Sequence, residues 1–252
     1  ALVQSQLSVF TEGNLVRAQR AIREALRHRA QIVCLPEFFN TPAFPSYGED
    51  AHYFGLAESV PGPATEAMAA LARQGQVMVI APLFEKGDDG KYYNTAVVLG
   101  TDGQIAGKYR KTHIPNVRPE DGLDTVGYEA YYFTPGNLGF PVFDTPWDAR
   151  FGILLCYDRH FPEAVLSLTL AGVDVIFVPA ASAGQFRETW AVELRGHAAM
   201  NQCYVAGVNR CGPDEGGPPD VVFYGSSLVV GPMGEVIAQA GDVAEEVLVA
   251  DL

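Results

Sequence analysis

A chain of 252 residues, 48% hydrophobic and 19% charged, can bury a substantial core and is too apolar to be disordered. Its net charge of −13 argues against a nucleic-acid partner, which would need a basic stripe. The densest basic stretch, Lys108-Tyr109-Arg110-Lys111, is too short to supply one.

Taken in chain order, short Val-, Ile- and Leu-rich runs bounded by turn residues predict strands at 32–35, 77–82, 96–99, 151–155, 175–178, 204–208 and 227–230, each buried on both faces. Helical periodicity predicts helices over 15–28, 64–73 and 188–201. In the first of these Val16, Ala21 and Ala25 form the inner face, with Arg17, Arg20, Arg23 and His28 opposite. Thr101-Asp102-Gly103 and Gly231-Pro232-Met233-Gly234 read as hairpin turns, and the Pro- and Gly-rich stretch 211–219 as a surface loop. Alternating strands and helices, with no repeat and no linker, define a single α/β domain over residues 1–252. Both ends read as interrupted strands, which implies a chain trimmed at both termini.

No apolar run approaches the roughly 20 residues that span a bilayer, and the N-terminus lacks the charged-then-apolar order of a secretory signal. The cysteines at 34, 156, 203 and 211 show neither close pairing nor CxxC spacing, a pattern that points to a reducing cytoplasm. Cys34 and Cys203 lie in apolar runs and read as core thiols, while Cys211, in the loop, reads as incidental.

Three ionisable residues each follow a buried strand: Glu37, Lys111 a further 74 residues on (111 − 37), and Cys156 another 45 (156 − 111). Strand ends are where an α/β sheet gathers reactive groups from distant parts of the chain. The residue types suit thiol chemistry. A thiol attacks as thiolate and needs a base or a nearby cation, so Glu37 can take its proton and Lys111 can stabilise a developing oxyanion. The backbone N–H of Tyr157 is a natural second donor to that oxygen. Taken singly, Glu37 also reads as a cap or salt-bridge carboxylate, Lys111 as a surface lysine, and Cys156 as a buried structural thiol. The five histidines show no metal-ligand spacing, so no metal is expected. His113 reads as a packing or hydrogen-bonding residue behind Lys111.

Leu35-Pro36-Glu37-Phe38, Tyr109-Arg110-Lys111-Thr112-His113-Ile114-Pro115 and Leu155-Cys156-Tyr157-Asp158-Arg159-His160-Phe161-Pro162-Glu163 resemble, in order, the three signature segments of the nitrilase superfamily. The resemblance covers nearly the whole chain. It implies a four-layer α-β-β-α sandwich, Glu37 as general base, Lys111 as oxyanion stabiliser and Cys156 as nucleophile. It further implies an acyl-enzyme route without a cofactor, a small-molecule substrate, and a homodimer or higher homo-oligomer, although the C-terminal arm that usually embraces the partner is missing. The segment 128–136 resembles the place where amidase branches carry a second active-site glutamate, and Glu129 matches it better than Glu120, which sits in a polar loop.

Cys156-Tyr157-Asp158-Arg159-His160 is similar to the N-carbamoyl-β-alanine amidohydrolase branch, and 107–115 and 133–142 equally to N-carbamoyl-D-amino-acid hydrolases. The latter carry Asn and paired arginines after the cysteine, unlike this chain. Arg159 and His160 place one fixed and one titratable charge near the nucleophile, suited to a substrate carboxylate. Alternatively, Arg159 pairs with Asp158 or Glu163, and His160 is a structural hydrogen bonder. The expectation is hydrolysis of an N-carbamoyl amino acid, with N-carbamoylputrescine, a simple amide or a nitrile as other substrates for the same fold. A non-catalytic protein on this scaffold would have lost one of the three residues, and none is lost.

Overall fold

The structure, a computed structural model, describes residues 1–123 and 126–252. The first half of the chain runs β1 (Leu2–Gln4), α1 (Thr11–Arg27), β2 (Ile32–Cys34), α2 (Pro63–Gly75), β3 (Met78–Lys86), β4 (Tyr92–Leu99), β5 (Ile105–Arg110) and α3 (Glu129–Tyr132). The second half runs β6 (Val142–Asp144), β7 (Arg150–Ile153), α4 (Pro162–Leu170), β8 (Val175–Ala180), α5 (Arg187–Asn201), β9 (Tyr204–Asn209), β10 (Cys211–Pro213), β11 (Val222–Tyr224), β12 (Leu228–Val230), β13 (Val236–Gln239) and β14 (Glu246–Leu248).

The strands form two six-stranded sheets, ordered β14-β1-β2-β3-β4-β5 and β13-β12-β9-β8-β7-β6. In each, three parallel strands at the centre are flanked by antiparallel ones: β1-β2-β3 in the first and β7-β8-β9 in the second. Parallel neighbours need a crossover, and α1, α2, α4 and α5 supply it.

Side-chain alternation explains the layering. Along β3, Met78 and Ile80 point between the sheets and meet Phe151, Ile153 and Phe177 of the second sheet. Val79 and Ala81 point outward and meet Ile22 of α1 and Met68 of α2. On the far side, Ile176, Val178 and Val205 face outward onto Leu168 of α4 and Trp190 and Leu194 of α5. Each of these large apolar side chains stabilises the fold by roughly 1.5–3 kcal/mol on burial. The result is the α-β-β-α sandwich expected from the resemblance. Gly207 in β9 lets α5 approach, since a Cβ there would sit 2.4 Å from Leu194 and 2.7 Å from Trp190.

Two details differ from the sequence reading. The buried face of α1 consists of Asn14, Ala18, Ile22 and Ala25, and Val16 is exposed. The 3.6-residue period carries position 16 around to the solvent side. The stretch beginning at Cys211 is also more than a surface loop. It opens with β10, which pairs with β11, and it buries both Cys211 and Asp214. Asp214 anchors it by accepting from Arg210 at 2.6 Å and from the N–H of Ala43 at 2.8 Å. Cys34 lies in the core between the sheets and Cys203 in the core under α5. Among the described residues no helix is long and apolar enough to cross a membrane.

Candidate active site

The ends of β2, β5 and β7, together with the start of α3, bring Glu37, Lys111, Cys156 and Glu129 to one place. Lys111 continues β5, where its N–H donates to the carbonyl of Asn94 at 2.9 Å and its own carbonyl accepts the N–H of Gly136 at 2.7 Å. A Cβ on Gly136 would meet the Arg110 carbonyl oxygen at 2.1 Å, so only glycine permits this approach. The lysine side chain is then held at both ends. Its Nζ donates to Glu37 Oε1 at 3.0 Å and to both oxygens of Glu129 at 2.8 Å.

Glu37 is fully hydrogen-bonded. Besides Lys111, its Oε1 accepts from Asn94 Nδ2 at 2.7 Å, while its Oε2 accepts from the N–H of Ala181, just past β8, at 2.8 Å. The last contact crosses from one sheet to the other. Burial opposes the charge on Lys111, but Glu129, Glu37 and the thiol outweigh it and hold the ammonium above the usual lysine range. Burial pushes Glu129 up to about 7, with Lys111 opposing the rise and Glu37 reinforcing it.

Cys156 opens the turn after β7 with φ of 47°, a left-handed conformation that costs a non-glycine residue energy. Its thiol is pushed up to about 12 by burial and then by the charge of Glu37, with Lys111 and Arg159 pulling the other way. At rest it is therefore a thiol, and ionisation needs a base at hand. The turn is clamped by Asp158, which is fully buried. Its Oδ2 accepts from Tyr109 Oη at 2.7 Å and from the N–H of Leu155 at 3.1 Å. Its Oδ1 accepts the N–H of His113 at 2.8 Å and faces His113 Nδ1 at 2.7 Å. His113 also stacks on Phe161, so it braces the Lys111 segment against the cysteine turn.

The thiol borders a cleft lined by Ser46, Pro115, Val117, Glu129, Tyr157, Arg159, His160, Ser182 and Phe186. Arg159 is only 1% exposed, and its partner is Glu193 of α5, at 2.9 Å, rather than Asp158 or Glu163. It also donates to the carbonyl of Cys156 at 2.9 Å, approaches Ser182 Oγ at 3.5 Å and lies 5.2 Å over the Trp190 ring. The other oxygen of Glu193 holds His160 Nδ1. Glu120 is exposed. Among the described residues no group of three or more His, Cys, Asp or Glu side chains is arranged to hold a metal.

Three residues escaped the sequence reading. Asn94 left a signal, a side-chain amide inside a buried strand. Asp158 was visible only as a neighbour of the cysteine. Glu193 left none, because it reaches Arg159 from a separate helix.

An α-β-β-α sandwich with a thiol poised over a buried carboxylate–lysine–carboxylate cluster is the architecture of a cysteine-dependent amidase. The carbon–nitrogen hydrolase family profile matches residues 1–252, and the chain belongs to that family, within the nitrilase superfamily. It is 35% identical to an N-carbamoylputrescine amidase of Solanum lycopersicum over 94% of this chain and 80% of that protein. It is 36% identical to an omega-amidase of Homo sapiens over 99% of this chain and 86% of that protein. A solved structure of an amidase mutant from Nesterenkonia sp. AN1 superposes with a TM-score of 0.84 and 25% identity, covering 100% of this chain and 88% of that one. That structure shows the acetamide moiety of fluoroacetamide added covalently at the active-site cysteine.

Proposed function

We propose that this chain hydrolyses the terminal carbamoyl group of a small N-carbamoyl amine through a thioester at Cys156. The observation that carries the reading is Lys111 clamped between Glu37 and Glu129 close to the Cys156 thiol. Glu37 takes the thiol proton as sulfur attacks the carbamoyl carbon, and Lys111, with the Tyr157 N–H, stabilises the oxyanion. Glu129 accepts an N–H of the departing amino group and fixes its orientation. The proton on Glu37 passes to that group, ammonia leaves, and the C–N bond is broken. Water then attacks the thioester with Glu37 again as base. The carbamic acid released loses carbon dioxide to give the free amine.

The tail of the substrate is read from the charges around the cleft. Glu193 already pairs with Arg159 and holds His160, so both residues expected to meet a substrate carboxylate have a partner within the chain. The charge of Arg159 is thereby matched by Glu193, and that of Lys111 by Glu37 and Glu129. This balance favours a neutral or cationic tail over an anionic one, in keeping with the similarity to an N-carbamoylputrescine amidase. A second reading, an N-carbamoyl amino acid, is favoured by the Nη2 edge of Arg159, whose contact to Ser182 is a long 3.5 Å. Ammonia release from N-carbamoylputrescine, N-carbamoyl-β-alanine and the uncharged amide of the latter separates them. We expect kcat/KM to be at least about 10-fold higher for N-carbamoylputrescine than for N-carbamoyl-β-alanine, the equivalent of one charge-assisted contact. A preference for the acid over its uncharged amide would overturn the first reading in favour of the second. Turnover of none of the three, with hydrolysis of simple amides, would remove carbamoyl specificity altogether.

A further inference from the structure

Asn94 sits inside β4 and is only 1% exposed. Its Nδ2 donates to Glu37 Oε1 at 2.7 Å, its backbone carbonyl accepts the N–H of Lys111 at 2.9 Å, and its side chain draws the Glu129 carboxyl downward against burial. One neutral residue therefore meets the Glu37 carboxylate through its side chain and the Lys111 backbone through its carbonyl. The orientation of the amide follows from its neighbour, since turned over it would set Oδ1 against the Glu37 carboxylate. Its Oδ1 has no hydrogen-bond partner among the described residues, so the contribution of the side chain is made through Nδ2.

We propose that Asn94 is a positioning residue for the reaction, whose side-chain N–H holds the Glu37 carboxylate in place beside Lys111. This rests on the reading of Glu37 as the base. A hydrogen bond to a carboxylate favours its ionised state. Two carboxylates that share one ammonium repel each other, and each gains from a donor that brings no charge. A lysine or arginine in this place would cancel the negative charge that must accept the thiol proton, and an aspartate would add a third negative charge. The groups facing Glu37 are Lys111 at the end of β5, Glu129 of α3, Cys156 after β7 and the N–H of Ala181 after β8. Asn94 is the uncharged side chain in that ring.

The test is the pH dependence of kcat/KM, and of Cys156 alkylation by iodoacetamide, in wild type, Asn94→Ala, Asn94→Asp and Glu37→Gln. Loss of a hydrogen bond to a charged group predicts a fall in kcat of about 10- to 100-fold in Asn94→Ala. The acid limb of both profiles should move about one unit upward, while KM changes less than about threefold. Asn94→Asp has the same shape and reverses the polarity of the contact, so it should lose more than the alanine variant while staying folded. An acid limb that stays in place, whether or not kcat falls, overturns the proposal, because a merely structural role would leave it unmoved. If Asn94→Ala does not fold, the alkylation profile of Asn94→Asp decides in the same way. Glu37→Gln separates the two ideas. Normal turnover there defeats the assignment of the base, whereas an inactive Glu37→Gln beside normal Asn94 variants defeats only the role of Asn94.

Discussion

Arg110 and Lys111 are consecutive residues, yet they enter two buried ion clusters of opposite composition. Neighbouring side chains of an extended segment point to opposite sides. Arg110 joins Lys108 around a single carboxylate, Glu85, which accepts Arg110 Nε at 2.9 Å, Arg110 Nη2 at 2.7 Å, Lys108, and the Thr95 hydroxyl at 2.6 Å. Lys111 is instead a single cation between two carboxylates. Burial raises Glu85, but Arg110, Lys108 and Thr95 outweigh it and hold the carboxyl below its ordinary value. Burial raises Glu129 as well, and one shared ammonium does not bring it back, so it rests near 7. Burial is the first influence on both carboxyls; around Glu85 two cations and a hydroxyl outweigh it, and around Glu129 one shared ammonium does not.

Breaking the Lys111 cluster should have the largest effect. Glu37→Gln and Lys111→Met should each lower kcat by about three to four orders of magnitude, and the double variant little further, because residues that act as a unit are not additive. Single-turnover ammonia release measures this, and a loss below about tenfold in either variant would show that the residue is misassigned.

Glu129→Gln should cost about 100-fold in kcat, in the range of one acid–base or orienting contact. Its stability effect has the opposite sign. A carboxylate raised from 4.5 to about 7 in the fold destabilises it increasingly as pH rises through that interval. The variant should therefore melt above wild type at pH 8 and match it below about pH 4. Calorimetry at both pH values is the check, and a lower melting temperature at pH 8 would contradict the imbalance argued for this cluster.

Glu85→Gln sharpens the contrast, since kcat/KM should stay within about threefold of wild type while the fold suffers. Removing one partner of a buried ion cluster costs about 3–5 kcal/mol, or roughly 10 °C in a chain of this size. Because Glu85 is held low, its contribution is present above the ordinary carboxylate value and fades as pH falls through the lower folded one. The gap in melting temperature should close in acid. A large loss of turnover with an unchanged melting temperature would mean the two clusters are coupled.

The sequence made Glu37, Lys111, Cys156 and Glu129 legible because each sits in a short segment whose neighbours carry a pattern. The strands and crossover helices were legible for the same local reason, since burial on both faces leaves unbroken apolar runs. Asn94 and Glu193 were not, because each meets its partner across the fold. Glu193 lies 34 residues beyond Arg159 on another helix, a pairing set by how α5 packs on β9 and not by any spacing. Val16 was misplaced for a geometric reason, because a few apolar positions do not fix the angle of a helix. The hairpin that begins at Cys211 depends on the buried carboxylate of Asp214, which reads as a surface residue until its partner Arg210 is in place.

The hydrogen bond from Ala181 to Glu37 spans the two sheets, and so does the site as a whole: the proposed base and the lysine come from one, the thiol from the other. Neither sheet alone carries a reactive centre. While the chain is refolding, the sulfur stands apart from the proposed base, so turnover waits until the two sheets have docked. Activity regained on refolding thus acts as a clock for the docking of the two sheets, and it runs behind any signal that reports the formation of either one.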